Sequence, residues 1–442
     1  MRSIADRIAE LREPRPAALV RLSGEDRAAA LARWFGARLQ LANGGATVIV
    51  ERTVVLPHAE AVSLAAVPVA TYFDTETTGL STGAGTVPFL AGLGRLEGDQ
   101  LVVRQLLLPD YPHERALLRQ LCGELTTPRI VTYNGRSFDL PLLVSRLTVH
   151  GFFAEQAALP AQHDDLLPVA RRLWRRPLGG ARLADVESGV LGVRRDSDCP
   201  SYEVPARYFG YLRSGSPEPL SAVLDHNLQD IVSLARLEAT VLHLRGGGWR
   251  EARVLDPRGF ALELLRHGDN DGASEVLEGA LDRADRSEKH LLRRLAARLM
   301  LRSGFVERAE ELWQGGTRSA SVEAAWAWIE VARIRERHRD DLGGALEAAT
   351  AASRVLDLAF ALGRGGGIAE IGRARLVVER RVRRLSRWVV ARERRSKRSG
   401  AFEVGDGRGR GELGRVTDRP PLAKIRSQDG GERIAGSGGG DA

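Results

Sequence analysis

Cysteine is nearly missing from this 442-residue chain: Cys122 and Cys199 are its whole complement, too few for a disulfide framework or a thiolate metal site, which leaves a reduced compartment as the plain reading. Long apolar runs are missing as well. The longest mainly apolar stretch, Ala61 to Ala70, is about half of what a bilayer-crossing helix needs, so no span is expected. The first residues, MRSIADRIAELREPRP, mix acids with arginines and lack an apolar h-region, which argues against a signal or transit peptide and makes the cytoplasm the expected compartment. A general charge excess is also lacking. The formal net charge is +8, yet 12 basic against 3 acidic residues between Glu370 and Arg398 give that one segment +9. Residues 399–442 carry 7 of each sign, so the first 369 residues sum to about −1. Charge therefore gives no reason to place nucleic acid on the main body, and any such claim must rest on a site.

What is present fits two folded units, each long enough to bury a core, with 43% hydrophobic and 28% charged residues. Residues 1–67 read as an N-terminal extension. Pro68 to Asp74, PVATYFD, is a buried strand running into the turn residues Thr77, Thr78 and Gly79. Strands over Pro88–Leu96 and Leu101–Leu108 flank Glu97-Gly98-Asp99-Gln100, a hairpin connection. Apolar spacing then predicts a helix over Pro112–Leu125, a strand over Arg129–Tyr133 and a helix over Phe138–His150. A strand follows near Gln162–Leu166, and a long helix near Leu220–Leu244. This order is that of an RNase-H-like α/β domain, a mixed sheet flanked by helices, over 68–245.

Past Gly246 the pattern is purely helical. Ala273, Ala309 and Ala345 each follow a turn and stand 36 residues apart, close to the tetratricopeptide period. Leu292–Leu301 and Val322–Ile334 supply partner helices, so 250–356 reads as about three stacked helical hairpins, an all-α helical-repeat domain; unrelated amphipathic helices are the alternative. A basic helix is expected over 370–398, with Val382, Leu385, Trp388 and Val389 docking on the repeats and arginines left to capture nucleic acid, against the plainer reading of a solenoid cap with solvated charge. The Gly, Arg, Ser and Pro rich tail, 399–442, is expected to be disordered.

Three short stretches carry candidate chemistry. In Asp74-Thr75-Glu76 the period of two points both carboxylates to one side of a strand, where like charges raise each other's pKa unless a cation neutralises them. Asp139, in Asn134-Gly135-Arg136-Ser137-Phe138-Asp139, opens a helix after a strand and so comes to the same sheet edge. His226 and Asp230 lie at i and i+4 of an otherwise apolar helix, on one face. Each has a bland counterpart: a solvated strand end, a helix-dipole acid, a surface pair. Three in this order on these elements are far less expected by chance. Arg136, Arg171, Arg172, Arg175 and Arg176 are more simply a solvated face than phosphate ligands.

The stretches TYFDTETTGL, VTYNGRSFDLPLL, HDDLLPVARRLWRR and DHNLQDIVSLARL resemble the DEDD exonuclease superfamily, and more closely the bacterial YprB-type proteins, which join an RNase-H-like domain to tetratricopeptide-like repeats. The resemblance implies a 3′-to-5′ exonuclease acting on DNA or RNA, single strands or 3′ ends, through two Mg²⁺ or Mn²⁺ ions held by Asp74, Glu76, Asp139 and Asp230. It makes His226 the group that receives the proton of the attacking water. One departure bears on that role: the superfamily has a histidine five residues before the last acid or a tyrosine four before, and His226 stands four before Asp230. A second is Ser201, where the family pattern has glycine after Asp198-Cys199-Pro200. A rival reading, a catalytically weak nucleic-acid-binding or scaffold protein whose repeats recruit a protein partner, is set against the retention of all four acids.

Overall fold

The computed structural model describes residues 24–79, 85–195, 199–363 and 367–403. Most of the tail expected to be disordered, 404–442, and the first 23 residues lie outside these ranges.

Helix α1 (Gly24–Phe35) leads into a hairpin of β1 (Arg38–Ala42) and β2 (Gly45–Val55), followed by α2 (His58–Ala65). The antiparallel core follows as β3 (Ala70–Thr77), β4 (Pro88–Glu97) and β5 (Gln100–Leu107). Then come α3 (Glu114–Glu124), β6 (Arg129–Thr132), α4 (Asp139–Val149), β7 (Gln162–Asp165) and α5 (Leu166–Leu173). Helices α6 (Val204–Ser214) and α7 (Glu218–Arg245) complete the domain. All seven strands form one sheet in the order β1-β2-β5-β4-β3-β6-β7, with β3, β6 and β7 mutually parallel and the other pairs antiparallel. The sheet therefore takes in part of the segment set apart in the sequence as an N-terminal extension. Gly98, at φ 68°, turns the expected β4–β5 hairpin.

The central strand β3 is apolar on both faces because both are covered. Tyr72 packs on one side with Ile231 and Leu234 of α7, and Phe73 on the other with Phe89 and Leu143. Helix α7 lies close to β4 because the strand offers no side chain there. A Cβ on Gly92 would stand 2.2 Å from the Asn227 side chain, and one on Gly94 2.5 Å from that of Ile231.

The helix-rich remainder consists of α8 (Pro257–Arg266), α9 (Asn270–Arg283), α10 (Arg286–Arg302), α11 (Val306–Gln314), α12 (Val322–His338), α13 (Leu342–Ala361) and α14 (Ile368–Glu403). They pack in succession, each against the next. Ala273, Ala309 and Ala345 are fully buried on α9, α11 and α13. The turn before each of these helices holds a left-handed residue, Gly268 (φ 82°), Gly304 (φ 82°) and Asp340 (φ 53°), on the same 36-residue spacing.

Sheet domain and helices share one uninterrupted apolar core running from Tyr72 and Ile231 through Phe260, Leu264 and Ala273 to Ala345. At the junction a Cβ on Gly259 would lie 1.7 Å from the Arg172 carbonyl oxygen, so only glycine fits. Beside it the buried Glu263 accepts from Arg172 of α5 at 2.6 Å and from Arg245 of α7. Burial works against its charge, but the two guanidiniums hold its carboxyl below the usual glutamate value.

Candidate active site

Parallel pairing of β3 with β6 stops at Tyr72–Val131, so the edge of β3 beyond Tyr72 has backbone groups without a strand partner on that side. Asp139, first residue of α4, fills this need. Its Oδ1 accepts from the Thr75 backbone N–H at 3.1 Å and from the Thr75 hydroxyl at 2.5 Å. The loop that delivers Asp139 is held by Asp165, whose carboxylate accepts from the backbone N–H groups of Asn134 (2.8 Å), Arg136 (3.2 Å) and Leu167 (3.0 Å). Asn134 adopts a left-handed φ of 68° so that the chain can turn there. In the same motif His163 pairs with the Thr132 hydroxyl at 2.8 Å and Asp164 with the buried Arg129 at 3.0 Å. The HDDLL stretch is thus scaffolding for the loop and the β6 edge.

Asp74 and Glu76 project from β3 toward α7, which brings up Asn227, His226 and Asp230. Asn227, fully buried, donates from Nδ2 to Asp74 Oδ2 at 3.0 Å, and its own oxygen accepts from Gln105 at 3.0 Å. His226 Nε2 stands 3.6 Å from Glu76 Oε1 and 3.6 Å from Asp230 Oδ2. All five candidates from the sequence therefore meet at one place. Burial pushes Asp74 well above the usual carboxylate range, and the Asp230, Asp139 and Glu76 carboxylates push it further. Asp139 is raised to about 6, chiefly by burial, against the hydrogen bonds from Thr75. Asp230 is raised by burial too, with His226 and Arg195 opposing.

Arg195 was not singled out in the sequence. Its guanidinium donates to Asp230, to both oxygens of the buried Glu187 (2.7 and 2.6 Å) and to His226 Nδ1 (3.2 Å). Because Nδ1 faces a donor, a neutral His226 carries its proton on Nε2, toward the Glu76 and Asp230 carboxylates. In this arrangement the imidazole presents Nε2 toward the two carboxylates. Ser233 steadies Glu187 by donating at 2.5 Å. No local motif marks Arg195 or Asn227; the alternating glycines of Ala91-Gly92-Leu93-Gly94 are the one sequence signal that a helix crosses closely there.

Of the arginines that the sequence left as a solvated face, Arg172 serves Glu263, Arg176 pairs with Glu288, and Arg136 donates to the His163 carbonyl at 3.1 Å.

As they stand, the described side chains form no ready-made group of three or more metal ligands: Asp230 is engaged by Arg195, Asp74 by Asn227 and Asp139 by Thr75. The donor set nevertheless fits a hard divalent cation. It is all oxygen, with Asp139 buried and Asp74, Glu76 and Asp230 half-buried, and beyond burial itself the neighbouring acids raise the pKa of Asp74 as clustered like charges do.

A mixed sheet with four acids gathered at one edge defines a nuclease-type domain of the RNase H kind, and a model of the RNase_H superfamily matches residues 71–242. The uncharacterized protein YprB of Bacillus subtilis (strain 168) is 33% identical over 284 residues, which cover 63% of this chain and 67% of that protein. The chain belongs to the YprB family of RNase-H-like proteins. Among solved structures, the family B DNA polymerase from the hyperthermophilic archaeon Pyrobaculum calidifontis matches with a TM-score of 0.33 and 16% identity over 40% of this chain and 25% of that one, a likeness that carries no argument. Among the described residues no helix is long and apolar enough to cross a membrane.

Proposed function

We propose that the protein is a divalent-metal-dependent 3′-to-5′ exonuclease on DNA or RNA, with Asp74, Glu76, Asp139 and Asp230 as the metal-holding carboxylates. The observation that carries this reading is the convergence of acids from three separate elements, β3, α4 and α7, around Asp74, whose carboxyl the other three push up beyond the effect of burial. A structural role would favour asparagine or serine at such positions, since clustering buried carboxylates costs stability. Bound Mg²⁺ or Mn²⁺ would supply water activation and neutralise the leaving oxygen. The protein's part is then positional. Thr75 fixes the rotamer of Asp139, Asn227 that of Asp74, and Arg195 orients the His226 ring so that Nε2 faces the Glu76 and Asp230 carboxylates, where a bound water would meet it. The helices 257–361 form a solenoid of the tetratricopeptide kind, a support for substrate or a protein partner.

The test is degradation of 3′-labelled and 5′-labelled DNA and RNA with Mg²⁺ or Mn²⁺. Mononucleotides released from the 3′ end, stopped by chelator and nearly abolished by Asp74→Asn, are expected. Full turnover by that variant, or in excess chelator, would sink the site. Internal cuts would replace the exonuclease by an endonuclease.

A further inference from the structure

Helix α14 places twelve basic residues between Glu370 and Arg398, and the fold sorts them. Its inward face, Ile371, Ala374, Val378 and Leu385, is buried against α12 and α13. Several arginines are used internally: Arg375 pairs with Asp357 (2.5 Å), Arg381 and Arg384 with the buried Glu336 (3.1 and 2.8 Å), and Arg392 with Asp340 (2.7 Å). These tie the helix to its neighbours and are spent on structure.

Arg373, Arg380, Arg387 and Arg394 are different. All four are exposed, and none takes part in the ion pairs formed among the described residues. They recur every seven residues, which is nearly two helical turns, so they form one stripe with about 10 Å between steps and about 32 Å from end to end. At 100° per residue the acids Glu370, Glu379 and Glu393 lie roughly a quarter turn or more from the stripe's centre. Between Arg387 and Arg394 the surface dips into a shallow floor made by Ser386, Val390 and Ala391. Along one flank Trp388 is 45% exposed, with the Arg384 guanidinium 4.5 Å over its ring. The helix has 36 residues against 20 in α13, so it outruns its packing partner by about 24 Å.

We propose that this stripe is a binding surface for a single nucleic-acid strand, Arg373, Arg380, Arg387 and Arg394 taking successive stretches of phosphate backbone and Trp388 offering a stacking face. Guanidinium groups bind phosphate oxygens in pairs, and aromatic rings between such charges accept bases of any sequence. The main apolar face of the helix is already buried, and the apolar side chains left exposed, Leu376, Val377, Trp388 and Val390, alternate with arginines instead of forming the continuous apolar face that insertion into a lipid surface needs. The choice of nucleic acid as the phosphate source rests on the nuclease-type domain on the same chain.

The experiment measures anisotropy of a labelled single-stranded oligonucleotide, DNA and RNA in turn, titrated with the full-length protein in chelator over a range of salt. Without cleavage, binding is read apart from catalysis, so a dead active site leaves this result untouched. Replacing all four stripe arginines by glutamine is expected to lower the slope of log affinity on log salt by about 3, at roughly 0.7 for each contact on a single strand. The control, Arg375→Gln with Arg392→Gln, removes two paired arginines and leaves the slope nearly unchanged. A thermal melt equal to wild type shows that the stripe variant is folded, as expected for exposed side chains. An unchanged slope in the stripe variant overturns the proposal, as does a wild-type protein that binds vesicles of anionic phospholipid and not the oligonucleotide.

Discussion

At the scale of single residues, the acids were readable because each carried a local sign: a strand end, a helix start, a helix face. Their partners were not. Asn227 meets Asp74 across 153 positions of sequence, and no local pattern encodes a contact of that separation. The pKa directions lead to a measurement. Asp139 has its folded pKa raised to about 6, above an unfolded value near 4, so its stabilising protonation is complete below about pH 4 and is lost as pH rises through about 6. In chelator, wild type should gain thermal stability over Asp139→Asn as the pH falls from about 7 to about 5, a difference of roughly 1–3 kcal/mol at most. Melts at a series of pH values check this, and parallel curves would contradict it. Arg195 gives a second outcome. Removing it leaves Glu187, 1% exposed, as a buried charge whose remaining side-chain partner among the described residues is Ser233, so Arg195→Gln should cost about 3 kcal/mol or more. The double change with Glu187→Gln should recover part of that in denaturant unfolding. His226 is separable from a proton acceptor by its replacements. His226→Ala should lower kcat about 100-fold with little change in KM, and His226→Gln, which keeps an N–H donor, should restore part of the loss. If Gln behaves as Ala does, His226 acts as the proton acceptor.

At the scale of elements, the order of strands and helices from β3 to β7, and α7 after them, followed from periodicity with bounds that agree to within a few residues, whereas α5 and α6, between β7 and α7, were given no bounds in the sequence. The hairpin β1–β2 escaped notice although Asn43-Gly44 between Leu39, Leu41 and the apolar run from Ala46 is a two-residue turn signal, with Gly44 at φ 108°. The repeat was legible through its alanines, and the turn positions at 268, 304 and 340 repeat on the same interval; aspartate at the third hid the pattern, since only its backbone angle matches the glycines. The contact of α7 with the sheet yields a prediction. Gly94→Ala sets a methyl 2.5 Å from Ile231 and must lift the helix that carries His226 and Asp230, costing about 1–3 kcal/mol and lowering activity. Gly123→Ala, on α3 where nothing lies within 4 Å of the new Cβ, should be neutral or stabilising by up to about 1 kcal/mol. Equal melting points for the two variants would mean that α7 is free to shift.

At the scale of the molecule, the two regions were expected from length and from Gly246-Gly247-Gly248, and that glycine run does mark the end of α7. It does not mark a loose linker. Leu173 accepts the Asp256 backbone N–H at 2.8 Å, and Glu263 joins α5, α7 and α8. Neither bond is visible in composition, because the glutamate meets arginines 91 and 18 residues away. With one core spanning sheet and helices, heating should give a single calorimetric transition, and Glu263→Ala, which strands two half-buried guanidiniums, should lower its midpoint or split it. Two separate transitions in wild type would show the regions to be independent.

The close seat of Gly259 on the Arg172 carbonyl also bears on handling the protein in pieces. A chain cut at the glycine run would uncover Trp174, Leu173 and Leu244 together, all nearly fully buried in the intact molecule. Such a patch drives self-association. The nuclease half produced alone is therefore expected to precipitate or oligomerise, and the shortest well-behaved fragment should retain α8 and α9 as a lid on that patch.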